Sequence, residues 1–389
     1  MQIAYTTEQE ALRQELRAYF GELMTPEVQA EVAAGETGGP ASLAAVRQMG
    51  ADGWLGIGWP KEYGGQGATP LEQFIFINES WRAGAPTPFL SINTVGTTIQ
   101  EFGTQEQKDF FLPRILAGEL HFSIGYTEPN SGTDLASLTT KAVKDGDEWV
   151  INGQKIFTSL ANYADYVWLA VRTDPDAPKH RGITIFAVPT TDPGFSYTKI
   201  QTMVNASTFQ TFYDNVRVPE TAIIGELNRG WDLIVNQLNY ERVSLAPPGT
   251  VESVYSKALE WACQERLPDG RRVVDQEWVQ LNFARVRAGI EALTLMNWKA
   301  ATAPTVDPAF CSAIKVYGTE FYIEAYRLLI EIVGQRSTLG RGSPLALLEG
   351  HLERACQGTL ILTFGGGVNE VQRDLISLFG LGMPRTPRM

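Results

Sequence analysis

Hydroxyl groups, an aromatic ring and backbone donors crowd into two short runs of this sequence. The first, Tyr126-Thr127-Glu128-Pro129-Asn130-Ser131-Gly132-Thr133-Asp134, is a turn rich in hydroxyls and N–H groups that follows a β-rich stretch directly. The same composition would also serve an ordinary hairpin loop. The second, Asn152-Gly153-Gln154-Lys155-Ile156-Phe157-Thr158-Ser159, reads as a tight Asn-Gly hairpin turn leading to an aromatic residue beside two hydroxyls. An aromatic plane flanked by hydroxyl donors suits a flat ring system with polar edges. A third candidate is Asn239-Tyr240-Glu241-Arg242. On a helical wheel Trp231, Ile234, Val235, Leu238 and Leu245 make one apolar stripe, and at about 100° per residue Arg242 falls within it and Glu241 on its flank. Two charged residues therefore turn toward the interior; a buried structural ion pair would account for them, although adjacent helical residues diverge and bond each other poorly.

Other chemistry finds little support. There is no Gly-x-Gly-x-x-Gly after a strand, no Walker loop, no Gly-x-Ser-x-Gly elbow and no His-Glu-x-x-His. Gly365-Gly366-Gly367 alone reads more readily as a plain turn than as a phosphate cradle. His121, His180 and His351 lie far apart without partners at ligand spacing, so no metal site is expected. Cys263, Cys311 and Cys356 form no Cys-x-x-Cys pair and read as reduced core residues. The net charge of −12 repels phosphate backbones, which argues against general nucleic-acid binding but leaves room for a local pocket holding one anionic ligand. No run approaches the ~18 apolar residues of a membrane span, and no basic-then-apolar leader opens the sequence, so a soluble cytoplasmic protein is expected.

The elements that must position these residues fall into three blocks. With 389 residues, two to three domains are expected. From Thr7 to Ala117 the apolar period is helical, through Leu12, Leu16, Tyr19, Phe20 and Leu23 and again through Phe74, Ile75, Ile92, Val95, Ile99 and Phe102. Gly103 is expected as a C-terminal stop. Short β-rich runs follow at Trp149–Ile151, Tyr166–Val171, Ile183–Val188 and Thr211–Tyr213. Helical periodicity returns in Trp231–Leu245, Val254–Glu265, Trp278–Ala301, Phe310–Val333 and Leu345–Phe364. The expectation is an α+β chain: an N-terminal helical domain over 1–118, a central β domain over 119–226 and a C-terminal helical bundle over 227–389.

In this order and at this distance, with helices on either side, the two hydroxyl-rich runs resemble the flavin-binding β domain of acyl-CoA dehydrogenases. The resemblance extends over nearly the whole chain, including Gly53–Gly65 and the closing Gly367-Val368-Asn369-Glu370-Val371-Gln372-Arg373. It implies FAD as cofactor, with Tyr126 and Thr127 on the flavin pyrimidine edge, Thr133 with Gly132 toward the flavin tail, Phe157 against the isoalloxazine and Ser159, beside Thr158, donating to N5. Tryptophan is common at the position of Phe157, so stacking survives there without an indole donor. Val368 and Glu370 fall where family members touch FAD, with the usual polar residues replaced.

The reaction implied is α,β-dehydrogenation of an acyl-CoA thioester. Most of the family carries its base at the position of Gly366, which cannot serve; a smaller set carries it on an earlier helix just before an arginine, as Glu241-Arg242 stands here. The resemblance thus makes Glu241 the base, Arg242 a substrate-side residue and the Gly366 N–H a donor to the thioester oxygen. Family members also lend residues to a neighbour's FAD. Here the lending elements read Arg266-Leu267-Pro268-Asp269-Gly270 and Glu331-Ile332-Val333-Gly334-Gln335-Arg336-Ser337, with acid and bulk where a pyrophosphate would approach. This implies a homologous partner subunit that completes the FAD site, similar to the actinobacterial α2β2 dehydrogenases of steroid side chains, with electron-transfer flavoprotein as acceptor. Pro247-Pro248 should break the helix after Glu241 and leave space for a bulky acyl group; a helix end outside the pocket is the other reading. Two other classes stay open: a non-catalytic subunit, and a flavin oxidase or monooxygenase on the same fold.

Overall fold

Proline at the first helical position, where its missing N–H costs nothing, opens several helices of this chain. The structure, a computed structural model, describes residues 3–35, 38–204, 206–244 and 246–385, and of residues 239–244 only the backbone. Among the described residues six α-helices precede the sheet: α1 (Thr7–Leu23), α2 (Pro26–Ala34), α3 (Pro40–Ala51), α4 (Pro70–Ala83), α5 (Gly96–Phe102) and α6 (Gln105–Leu116). Thr25 caps α2 and a Thr104–Gln107 capping box starts α6. Gly103 does end α5, but with φ −73° and ψ 151° it is extended rather than left-handed.

Eight strands follow among the described residues: β1 (Phe122–Gly125), β2 (Lys141–Asp145), β3 (Glu148–Lys155), β4 (Tyr166–Arg172), β5 (Ile183–Pro189), β6 (Phe195–Lys199), β7 (Phe209–Pro219) and β8 (Ile223–Ile224). They form one sheet in the order β6-β7-β3-β2-β4-β5-β8, with β1 added in parallel to β4. The apolar runs of β4 and β5 are buried along nearly their whole length. Gly146-Asp147 makes the tight β2–β3 turn, Gly146 at φ 65°. Asn152-Gly153, expected as a hairpin turn, instead lies inside β3 at a bulge where Asp214 and Asn215 of β7 oppose Asn152. The Asn152 side chain accepts from the Asn215 N–H at 2.9 Å and so fills the gap in the ladder.

The remaining helices are α7 (Gly230–Ser244), α8 (Gly249–Gln264), α9 (Glu277–Ala301), α10 (Pro308–Val333), α11 (His351–Gly358) and α12 (Asn369–Leu375). The expected single helix over Leu345–Phe364 is broken, because Leu348, Glu349 and Gly350 all have positive φ and set α11 between two short 3-10 turns. Cys263 is exposed on α8, against the expectation of a core residue, whereas Cys311 is buried.

Packing divides the chain into two compact units. One gathers α1, α4 and α8 to α12; the other holds α2, α3, α5, α6, the sheet and α7 as far as Glu241. The first is built on Val254, Phe283, Ile290, Leu293, Ile314, Phe321 and Leu329, with Gly289 of α9 against the Phe321 ring so closely that any Cβ would clash. The second centres on Trp149, Ile151, Val167, Leu169, Phe186, Val188 and Val216. Between α7 and α8 the backbone of Ala246 to Pro248 is buried, and its carbonyls are satisfied by side chains: Asn297 donates to Ala246 and the Tyr322 hydroxyl to Pro247. No helix among the described residues is long and apolar enough to cross a membrane.

Candidate active site

The end of β1 and the end of β3 are fastened to each other by a buried lysine. Lys155, fully buried, donates to the Tyr126 carbonyl at 3.0 Å and to Glu128 at 2.9 Å, and the Ile156 N–H donates to the Thr127 carbonyl at 2.8 Å. Glu128, also buried, accepts further from the Thr139 N–H and hydroxyl and the Thr140 N–H. Burial opposes its ionisation, but Lys155 beside it and the bonds from Lys155 and Thr140 prevail and hold the carboxyl at about 2. Burial pushes Lys155 down to about 8 against the pull of Glu128, so both are charged at neutral pH. The two hydroxyl-rich runs of the sequence are thereby one locked structure.

Immediately beyond the lock the chain turns into an unusual conformation. Phe157 has φ 61°, and its ring is 57% exposed. A side-chain-bearing residue in the left-handed region costs about 1–2 kcal/mol and persists only where neighbours enforce it. Here the Ile156 N–H is tied to Thr127 on one side and the Thr158 N–H to Phe209 at 2.9 Å on the other. The result is an aromatic face held outward beside donors. Among the described residues no hydrogen bond occupies the N–H of Thr127 or of Ser159, and the Ser159 hydroxyl makes only a long 3.4 Å contact with Thr208. Gly132 and Thr133 are exposed on the loop; a Cβ at Gly132 would meet only Thr127 Cγ2 at 3.6 Å, so sterics do not require glycine there. Thr158 is fully buried, with its hydroxyl 3.2 Å from that of Thr211, and props the loop from inside.

Tyr126 carries a second network. Its hydroxyl accepts from Trp168 Nε1 at 3.0 Å and donates to Gln237 Oε1 of α7. Gln237 is fully buried, and its Nε2 has no partner among the described residues. The buried row of α7 is Gly230, Leu233, Ile234 and Gln237, whereas Val235 is 43% exposed, so the stripe is rotated from the one the wheel suggested. The side chains of Glu241 and Arg242 lie outside the described residues.

In the other unit, Gly366 and Gly367 have φ 66° and 97°, a backbone that side chains resist. No hydrogen bond occupies the Gly366 N–H among the described residues. Val368 is the N-cap of α12 without a capping side chain, and Glu370 is exposed in its first turn. Asp269, Glu331, Gln335 and Arg336 are all exposed; Asp269 pairs with Arg271 at 2.7 Å in a small hairpin, and Glu331 accepts from Asn282 at 3.2 Å.

Sequence reasoning missed Lys155, Glu128, Trp168 and Gln237 as parts of this site. Lys155 carried a legible signal: with Trp149, Ile151 and Gly153 it occupies the alternate positions of one strand face, and Trp149 and Ile151 are core. Gln237 had none, because its partner is over a hundred residues away.

Three family descriptions match in sequence order: the acyl-CoA dehydrogenase N-terminal domain over residues 6–119, the middle domain over 123–216 and the C-terminal domain over 228–379. Acyl-CoA dehydrogenase FadE26 of Mycobacterium tuberculosis is 54% identical over 400 residues, covering 100% of both chains, and FadE29 of the same organism is 47% identical over 392 residues, again covering both fully. Among solved structures, the ChsE4-ChsE5 complex from Mycobacterium tuberculosis holds a chain with TM-score 0.93 and 54% identity, covering 99% of this chain and 100% of that one. A structure described as the Tcur3481-Tcur3483 steroid ACAD has TM-score 0.94 and 47% identity over the same shares. With a helical N-terminal domain, a central sheet and a C-terminal helical domain all matched, the chain belongs to the acyl-CoA dehydrogenase family.

Proposed function

We propose that this chain is the base-bearing subunit of a heteromeric dehydrogenase that desaturates a steroid side-chain acyl-CoA thioester between its α and β carbons. The observation that carries the reading is the locked pair of loops with Phe157 held outward in a strained backbone beside the open donors of Thr127 and Ser159. A flat, polar-edged ring fits that arrangement, so Tyr126 and Thr127 through their backbone, Gly132, Thr133, Phe157 and Ser159, with Val368 and Glu370, are the residues assigned to FAD. When bound, FAD supplies the acceptor for the hydride that leaves the β carbon. Glu241 takes the α proton, Arg242 stands on the substrate side, and the Gly366 N–H donates to the thioester oxygen as negative charge develops on it.

The exposed Asp269, Glu331, Gln335 and Arg336 argue that this chain lends no half-site to a neighbour's pyrophosphate, so a homologous partner would complete its FAD site in an α2β2 assembly. The two heteromeric relatives, one described as a steroid ACAD, support both the partner and the substrate class. Electron-transfer flavoprotein is the assigned acceptor, and the cytoplasm the assigned compartment.

The test is co-expression with a homologous neighbour, followed by flavin counting and substrate bleaching. One FAD per pair of unlike chains is expected, and Glu241→Gln should keep the flavin yet abolish α-proton exchange, while Glu370→Gln retains it. A homotetramer with one tight flavin per chain would overturn the heteromer. Undiminished exchange in Glu241→Gln would remove the base assignment.

A further inference from the structure

The closing glycine loop has no side chains with which to pack, yet it is clamped at both ends. On its N-terminal side the Gly365 N–H donates to the Ile361 carbonyl at 2.7 Å. On its C-terminal side the Gly367 carbonyl accepts at 2.6 Å from Lys315, which rises fully buried from α10. The same ammonium donates to Asn369 Oδ1 at 2.6 Å, and Asn369 Nδ2 donates onward to Thr319 and Glu320, each at 3.1 Å. Gln372, fully buried, backs the loop so closely that a Cβ on Gly367 would lie 2.7 Å from its Nε2. Between the two clamps stands Gly366, left-handed, with its N–H unoccupied among the described residues.

We propose that Lys315 is a positioning residue for the Gly366 N–H, fixing the glycine loop through the Gly367 carbonyl and Asn369 so that this donor is aimed before substrate arrives. Three consecutive glycines have the greatest backbone freedom of any tripeptide, and an oxyanion donor contributes only if its direction is set in advance. A charge-assisted N–H···O bond is about twice as strong as a neutral one, and a buried ammonium is a costly group to keep for ordinary packing. The arrangement also sets the buried Lys315 head group two peptide units from the donor. The catalytic consequence rests on the role of Gly366 proposed above; the clamp itself does not.

The experiment therefore has two arms on the co-expressed complex, comparing Lys315→Met and Asn369→Ala with the parent. The first is amide hydrogen exchange over residues 363–369: exchange should quicken tenfold or more in Lys315→Met, and to a smaller degree in Asn369→Ala, while peptides of α9 stay unchanged. The second is turnover and binding of an acyl-CoA: kcat should fall at least about tenfold with the Kd of the thioester within about threefold, the loss expected from misdirecting rather than removing an oxyanion donor. Lys315→Gln, which keeps one donor without the charge, should recover part of both. Unchanged exchange in both variants overturns the clamp. Faster exchange with unchanged kcat overturns its catalytic purpose, and a parent complex that no acyl-CoA bleaches refutes the dehydrogenase reading instead. Asn369→Ala keeps the test decisive should Lys315→Met fail to fold.

Discussion

The ammonium of Lys155 sits on Glu128 at 2.9 Å with neither group open to solvent, at the junction of two loops that a backbone bond from Ile156 to Thr127 also joins. Breaking such a pair by truncating one partner strands a buried charge and costs about 3–5 kcal/mol. Lys155→Met should therefore lower the unfolding temperature of the complex and release flavin, both readable in one thermal scan followed by flavin fluorescence. A variant with parental flavin retention would show that the lock is dispensable.

The same pair sets an acid limit. Glu128 is held at about 2 against an ordinary 4.5, so between these values the unfolded chain binds a proton that the folded one does not. Stability from this group is complete above about pH 4.5 and is lost as pH falls toward 2. Glu128→Gln should be less stable at neutral pH and should show a shallower loss over that window, measured as unfolding midpoint against pH.

Phe157 separates strain from ligand contact. Phe157→Gly relieves a left-handed side-chain-bearing residue, so the flavin-free protein should be as stable as the parent or more so, by up to about 1 kcal/mol. Loss of the ring should weaken FAD binding by about tenfold. Titration of flavin into stripped complex checks this; undiminished affinity would remove Phe157 from the cofactor site.

Removing the Tyr126 hydroxyl leaves both Trp168 Nε1 and Gln237 buried without their shared partner. Tyr126→Phe should cost about 1–3 kcal/mol, seen as a lower urea midpoint at unchanged slope. Combined with Trp168→Phe the losses should fall short of additive, because both variants cut the same chain of bonds.

The buried break at Pro247-Pro248 bears on substrate choice. A steroid side-chain CoA ester should show far higher kcat/KM than octanoyl- or palmitoyl-CoA, and the Pro247→Ala, Pro248→Ala double variant should narrow the gap. Equal turnover of straight-chain thioesters by the parent complex would overturn the steroid inference and leave the dehydrogenase family standing.

What the sequence disclosed follows the range of the forces involved. Periodicity located the long helices α8, α9 and α10 and the apolar strands β4 and β5, because burial of one face is written locally. Asn152-Gly153 misled because a bulge and a hairpin turn use the same residues, and only the opposing Asp214-Asn215 decides between them. The wheel through Val235 failed because it ranked residues by apolarity, whereas α7 buries Gln237 for a hydrogen bond. Lys315 was invisible for the same reason, because a lysine's burial is set by acceptors that the fold brings from elsewhere, whereas Lys155 at least shared its strand face with core residues.

The division of the chain also has a consequence for its birth. Helix α1 is completed within the first 23 residues, yet apart from α4 the helices of its own unit begin only after residue 242. At roughly 5–20 residues per second, ribosomes need about 10–40 s to reach the first of them. During that interval α1 already has α4 to pack on, the ring of buried Phe20 lying 5.9 Å from that of Phe76. The unit containing the sheet suffers far less delay, since its last strand is made before α8 exists. Nascent chains of this protein thus hold the α1–α4 pair ready long before the helices that complete its unit, whereas every strand of the other unit has by then been made.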